Sequence, residues 1–96
     1  MPSKSGLPTE SEIQTAIRQL LQARGWFVIR LQQGLGCHRG LSDLVAIKQG
    51  RVVWIEVKTP RGRLSEYQLA FARSVDGHGG EYVVMRDPKD VFRLEE

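Results

Sequence analysis

Glu56 and Lys58 stand two residues apart in the run VVWIEVKTPRGR, a spacing that on a β-strand projects an acid and a base from the same face. Asp43 lies one segment earlier, in RGLSDLVAIK, where a glycine-containing loop becomes a strand-forming run. A hairpin of DLVAIK and VVWIEVK turning at Gln49 and Gly50 brings the start of the first strand beside the end of the second. Asp43 then falls opposite Glu56 or Lys58. Two carboxylates so placed repel unless a positive charge sits between them. A divalent metal is the natural occupant, because Mg²⁺ binds through one or two carboxylates, water and substrate phosphate. The carbonyl of Val57 can add an oxygen ligand. An ammonium such as Lys58 beside that ion can position a water, help it lose a proton or neutralise charge building on a phosphate. The chemistry implied is phosphodiester hydrolysis. Without Asp43, Glu56 and Lys58 would read as an edge-strand ion pair of little energetic consequence.

The elements that must hold these groups follow from the hydrophobic pattern. TESEIQTAIRQLLQARG places Ile13, Ala16, Ile17, Leu20 and Leu21 on one helical stripe, with Thr9 and Glu12 spaced as a capping box and Gly25 as a stop. WFVIRLQ reads as a strand and QGLGCHRGLS as a loop. The two strands of the hairpin come next, and TPRGR breaks the pattern with Pro60 and Gly62. Helix signals return from Ser65 to about Val75, with Leu69, Phe71, Ala72 and Val75 as apolar contacts, and DGHGG ends that helix. EYVVMR is a last strand, and DPKDVFRLEE opens with Asp87 as a cap and Pro88 in a first turn. The order is α-β-β-β-α-β with a small C-terminal helix or turn. It predicts a mixed central sheet flanked by helices, the last strand returning parallel by a right-handed crossover.

Ninety-six residues bound the chain to one domain, since so short a chain cannot support two cores. Residues 1–8, rich in Ser, Gly and Pro, read as a flexible N-terminal arm, and 9–96 as the domain. A composition 41% hydrophobic and 26% charged is that of a globular protein. The net charge is +3, with ten Arg and four Lys, an excess that favours polyanions because the guanidinium fork matches phosphate. One cysteine, Cys37, excludes an internal disulfide, and no Cys/His cluster suggests structural zinc. No apolar run approaches a membrane span, and MPSKSGLPTE contains no signal core. A cytoplasmic protein of a bacterial cell or a virus's bacterial host is expected. Nothing resembles a helix-turn-helix, zinc finger or aromatic RNA-binding sheet, so sequence-specific recognition has no visible apparatus. Trp26 and Trp54 sit in predicted strands and are expected in the core rather than stacked on bases. His38, alone in a loop, carries no expected role.

Asp43 followed by EVK resembles the PD-(D/E)xK nuclease motif, with Ser42 in place of the eponymous Pro. TESEIQ, RGLSD, WIEVKTPRGRLSEYQ and a following GG-Y-VV together resemble the stand-alone virus-type replication-repair nuclease domain, VRR-NUC, from Thr9 to about Val91. The resemblance implies a restriction-endonuclease-like α/β core over 9–96 and Mg²⁺- or Mn²⁺-dependent endonuclease activity. Asp43 and Glu56 would be metal ligands and Lys58 the base or water-positioning group. A Glu of the first helix is also implied, either Glu10 or Glu12. Glu10 projects between Ile17 and Leu21, whereas Glu12 points away and has a capping role, so Glu10 is the expected one. The family's second-helix Gln matches Gln68, expected to bond Lys58 or a water at the metal. Arg39, Arg61 and Arg63 are expected to contact DNA phosphates without reading sequence. Stand-alone members of the family act as homodimers on branched DNA such as four-way (Holliday) junctions, and that substrate is expected here. The alternatives are a non-catalytic DNA-binding module and a nuclease subunit active only with a partner such as a helicase.

Overall fold

The computed structural model describes residues 6–96. The first five residues of the expected N-terminal arm lie outside the described residues, and Gly6, Leu7 and Pro8 are exposed. Helix α1 (Glu10–Ala23) starts at the Thr9/Glu12 capping box: Thr9 Oγ1 accepts from the Glu12 amide at 3.1 Å, and Glu12 Oε1 accepts from the Thr9 amide at 2.9 Å. Its buried stripe is Ile13, Ile17 and Leu21. The helix stops in a Schellman turn, with Gly25 at φ +89, its amide donating to Gln22 O and the Trp26 amide donating to Leu21 O. Trp26 and Leu21 join the same buried cluster. Trp26 is therefore a core residue, but it belongs to the helix exit rather than to a strand. The strand expected from Trp26 to Gln32 is shorter, β1 (Phe27–Arg30).

β1 pairs antiparallel with β2 (Leu44–Lys48), and β2 with β3 (Arg51–Val57), through a two-residue turn in which Gln49 and Gly50 have φ of 51 and 82. Positive φ at both central residues matches the right-handed twist of the flanking strands and locks the register at Lys48↔Arg51. Helix α2 (Glu66–Gly77) then carries the chain to β4 (Glu81–Met85), which lies parallel to β3 in the sheet order β1-β2-β3-β4. A 3-10 helix (Pro88–Glu95) closes the chain, with Asp87 as its cap.

One face of the sheet carries the main core. Leu44, Ala46, Val53, Ile55, Val57 and Met85 pack with the α1 stripe and with Val91 and Leu94 of the 3-10 helix. Each fully buried Val, Leu, Ile or Met side chain among them contributes roughly 1.5–3 kcal/mol. The opposite face is covered more sparsely. Of the four apolar residues expected to bury α2, only Phe71 does so, at 8% exposure; Leu69 is 38% exposed, and Ala72 and Val75 are half-buried. The Phe71 ring sits edge-on to Trp54 at 5.8 Å and to Tyr82 at 6.1 Å, so one aromatic contact does most of this helix's docking.

The loop between β1 and β2 makes a second contact with α2. Gly40 has φ +77, and a Cβ built there would lie 2.1 Å from the Tyr67 carbonyl oxygen. Only glycine allows this backbone approach. Gly40→Ala is expected to destabilise the protein by about 1–3 kcal/mol, measured by urea unfolding. Gly77→Ala, in open space at the end of α2, should be neutral or stabilising by a few tenths to about 1 kcal/mol. Equal effects of the two substitutions would contradict the close approach.

Candidate active site

The hairpin register pairs Leu44 with Ile55, so Asp43, one residue before β2, stands beside Glu56 at the end of the sheet. The Asp43 carboxylate is held on both oxygens. Oδ2 accepts from the Val57 amide at 2.7 Å, and Oδ1 accepts from Gln33 Nε2 at 3.3 Å, the same amide group donating to Leu41 O at 2.7 Å. Glu10, the first residue of α1, reaches the same point. One carboxylate oxygen each of Glu10, Asp43 and Glu56 lies within 4.8 Å of the others. Glu12 is engaged in the capping box instead.

Glu56 is 1% exposed. Its Oε2 accepts from Gln68 Nε2 at 3.2 Å and lies 3.9 Å from Lys58 Nζ; its Oε1 is buried and accepts no hydrogen bond from a donor among the described residues. Burial, then a hydrogen bond shared with the Asp43 carboxylate and the repulsion of its charge, pushes the Glu56 carboxyl up to about 9, against the opposing pull of Lys58. Tyr82 shares the Glu56 face of the sheet. Its buried hydroxyl also has no hydrogen-bond partner among the described residues, and its pKa is raised by burial and by the negative charge of Glu56 and Asp43. Three carboxyl groups face one ammonium, and once Glu56 ionises the cluster is short of positive charge. An orphaned carboxylate oxygen in a site shielded from water is the kind of group a cation satisfies. The donor set is all oxygen, which fits Mg²⁺ or Mn²⁺. Glu10, Asp43 and Glu56 would hold the ion. Val57 places its side chain in the core and its amide on Asp43, and its carbonyl follows Glu56 directly in the chain.

The N-terminus of α2 orients Gln68. Ser65 Oγ accepts from the Gln68 amide at 3.1 Å, and Gln68 Oε1 accepts from the Ser65 amide at 2.8 Å. With its carbonyl so occupied, the side-chain amide turns its NH₂ to Glu56. The expected partner of Gln68 was Lys58 or a water at the metal; the partner found is Glu56, because the capping box fixes which end of the amide faces the cluster.

The expected DNA-contacting arginines are all exposed. Arg39 lies 5.0 Å over the Tyr67 ring and donates from Nη1 to Tyr67 Oη at 2.6 Å. Arg61 and Arg63 form no side-chain hydrogen bond or ion pair among the described residues. The loop that carries them leaves Lys58 directly and is pinned by Arg86, whose Nη1 donates to Thr59 O at 2.7 Å and Gly62 O at 2.6 Å. Sequence reasoning missed Arg86, Gln33 and Tyr82. Only Tyr82 had a readable signal, since its register with Trp54 puts it on the Glu56 face once the strand order is known. His38 turns its ring edge to Phe71 at 5.5 Å, and Cys37 Sγ accepts from the Gly34 amide at 3.4 Å; both brace the loop.

A carboxyl whose pKa is higher in the fold than in the unfolded chain stabilises the fold fully below the ordinary carboxylate range, and that contribution is lost as pH climbs towards about 9. In EDTA the Tm is therefore expected to fall across this window, and Glu56→Gln should flatten the slope. Mn²⁺ should raise Tm more at the alkaline end, because it binds ionised carboxylates. A pH-independent Tm in EDTA, or equal Mn²⁺ stabilisation of Glu56→Gln, would contradict this description.

The sequence model of the VRR-NUC domain matches residues 6–87, a span that includes Glu10, Asp43, Glu56, Lys58 and Gln68. The UPF0102 protein of Synechococcus sp. (strain JA-3-3Ab) is 36% identical over 64 residues, which cover 66% of this chain and 47% of that protein. The match thus spans about half of that relative's length. A solved VRR-NUC domain superposes with a TM-score of 0.75 over 91% of this chain and 95% of its own, at 21% identity, a likeness of fold. No helix among the described residues is long and apolar enough to cross a membrane. Matched by the family's sequence model from before α1 to beyond β4, the chain belongs to the VRR-NUC family of nuclease domains.

Proposed function

We propose that residues 9–96 form one metal-dependent DNA endonuclease domain that hydrolyses phosphodiester bonds. The observation that carries this reading is the three-carboxylate cluster with an orphaned Glu56 oxygen and Lys58 Nζ 3.9 Å from the other oxygen. A divalent ion bound there supplies Lewis acidity and offsets the charge that develops on the phosphate. Glu10, Asp43 and Glu56 are its ligands in this reading, with the Val57 carbonyl as a further one.

The protein's own groups do the rest. The Lys58 ammonium, 3.9 Å from Glu56, orients the attacking water by donating to its surroundings and offsets the charge that builds on the scissile phosphate as the water's proton passes to solvent. Gln68 keeps the Glu56 carboxylate from rotating. The Val57 amide and Gln33 do the same for Asp43. Arg39, Arg61 and Arg63 supply phosphate contacts, Arg61 and Arg63 from a loop that Arg86 holds to three residues of backbone.

The substrate is branched DNA such as a four-way junction, cut by a homodimer whose two-fold symmetry sets two active sites on two strands. Support for this comes from the resemblance to the family's stand-alone members.

The test is cleavage of end-labelled junction, flap, single strand and duplex, each with Mg²⁺, Mn²⁺ or EDTA. Paired, metal-dependent nicks in the junction are expected. Lys58→Ala should lower the rate by at least about 10²-fold with DNA binding retained. Replacing Arg61 and Arg63 together should flatten the salt dependence of binding by roughly two units of log–log slope. Binding without cleavage on every substrate would instead favour a DNA-binding module, and cleavage only on adding a helicase would favour a partner-activated subunit.

A further inference from the structure

A cavity of about 470 Å³ opens beside the acidic cluster, with Asp43 in its wall. Gln14 of α1 forms one side; Arg30, Leu31, Gln32 and Gln33, at the end of β1 and just beyond it, form the other. Its lining is unusual for a chain this basic: three side-chain amides and a single cation. Gln14, Gln32 and Arg30 make no side-chain hydrogen bond or ion pair among the described residues. Gln33 spends its NH₂ on Leu41 O and Asp43 and leaves its carbonyl free.

We propose that this cavity is a subsite for one unpaired nucleotide of the cleaved strand, next to the scissile phosphate. The proposal rests on the nuclease reading above and adds to it what the site takes beside the reacting group. The volume lies in the range that encloses a small organic ligand. It cannot admit a duplex, whose major groove alone is about 12 Å wide. An amide offers one acceptor and two donors in a plane, the pattern that pairs with a base edge. With no aromatic ring in the lining, the base is held by its edge rather than by stacking. Arg30 faces the neighbouring phosphate, and half-buried Leu31 gives the ring an apolar wall. Because Asp43 belongs to both the cavity and the carboxylate cluster, a nucleotide seated here brings its own phosphate beside that cluster. Fully paired DNA cannot fill the subsite without extruding a base and losing its stacking and pairing. Strand ends and flaps supply such a base without that cost, and the weakened stacking at a branch point lowers it.

Abasic scanning tests this. Substrates with a single base removed at successive positions around the cut are cleaved by the wild-type protein and by the Gln14→Ala/Gln32→Ala variant. One sensitive position adjacent to the cut is expected, where base removal lowers wild-type kcat/KM about tenfold, the worth of one good amide–base pair. In the double variant the penalty at that position should shrink to less than about twofold, with Mn²⁺ affinity by calorimetry unchanged. No sensitive position, or the same penalty in both proteins, would overturn the proposal. Should the protein cleave nothing, the nuclease reading fails separately. The subsite is then decided by anisotropy of the same labelled single strands: a base-dependent affinity lost in the double variant supports it, and equal affinities refute it.

Discussion

Glu56 holds a carboxylate where water does not reach, at 1% exposure, with one oxygen unpartnered and two further carboxylates close by. An isolated charge in such a place costs several kcal/mol. The chain can carry it only as a protonated acid or with a cation bound. Much of the surrounding structure serves this one group. The hairpin register sets Asp43 beside it, the first turn of α1 brings Glu10, and Lys58 follows two residues later on the same strand. A carboxyl left to itself would protonate; the nearby ammonium and the amide of Gln68 favour the ionised form that a metal needs.

The two faces of the sheet divide the work. The α1 face carries the aliphatic core and most of the burial, so it provides the stability against which the buried acid can be held. The α2 face is thinly packed, with Phe71 as its one buried helix residue, and it carries Trp54, Glu56 and Tyr82. Helix α2 is positioned less by apolar area than by two close fits, the Phe71 ring on Trp54 and Tyr82 and the Gly40 backbone against Tyr67. Since Gln68 sits in the first turn of that helix, those fits are also what aim its amide at Glu56.

Local signals were legible in the sequence and long-range ones were not. The Thr9/Glu12 box and the Gln49-Gly50 turn depend on residues within four positions of each other, and the turn alone settles the register that sets Asp43 by Glu56. Helical phase separated Glu10 from Glu12 because the buried stripe is regular. Trp26 misled, since an aromatic residue next to Phe27 looks like strand; only the Schellman turn reveals it as the helix's own apolar contact. The apolar residues of α2 misled too, because periodicity shows which face is apolar but not how far the helix overlaps the sheet. Gln33 holding Asp43 and Arg86 holding the 59–62 turn had no sequence signal at all, since each bonds to groups 8 to 27 residues away.

Anomalous diffraction at the manganese edge from Mn²⁺-soaked crystals tests most directly whether the buried acid is built for a cation. A peak within bonding distance of Glu10, Asp43 and Glu56, with Glu56 Oε1 as a ligand, is expected. A cluster without a peak, and with the Lys58 ammonium moved onto Glu56 Oε1, would contradict it and make the carboxylates a closed ion-pair network.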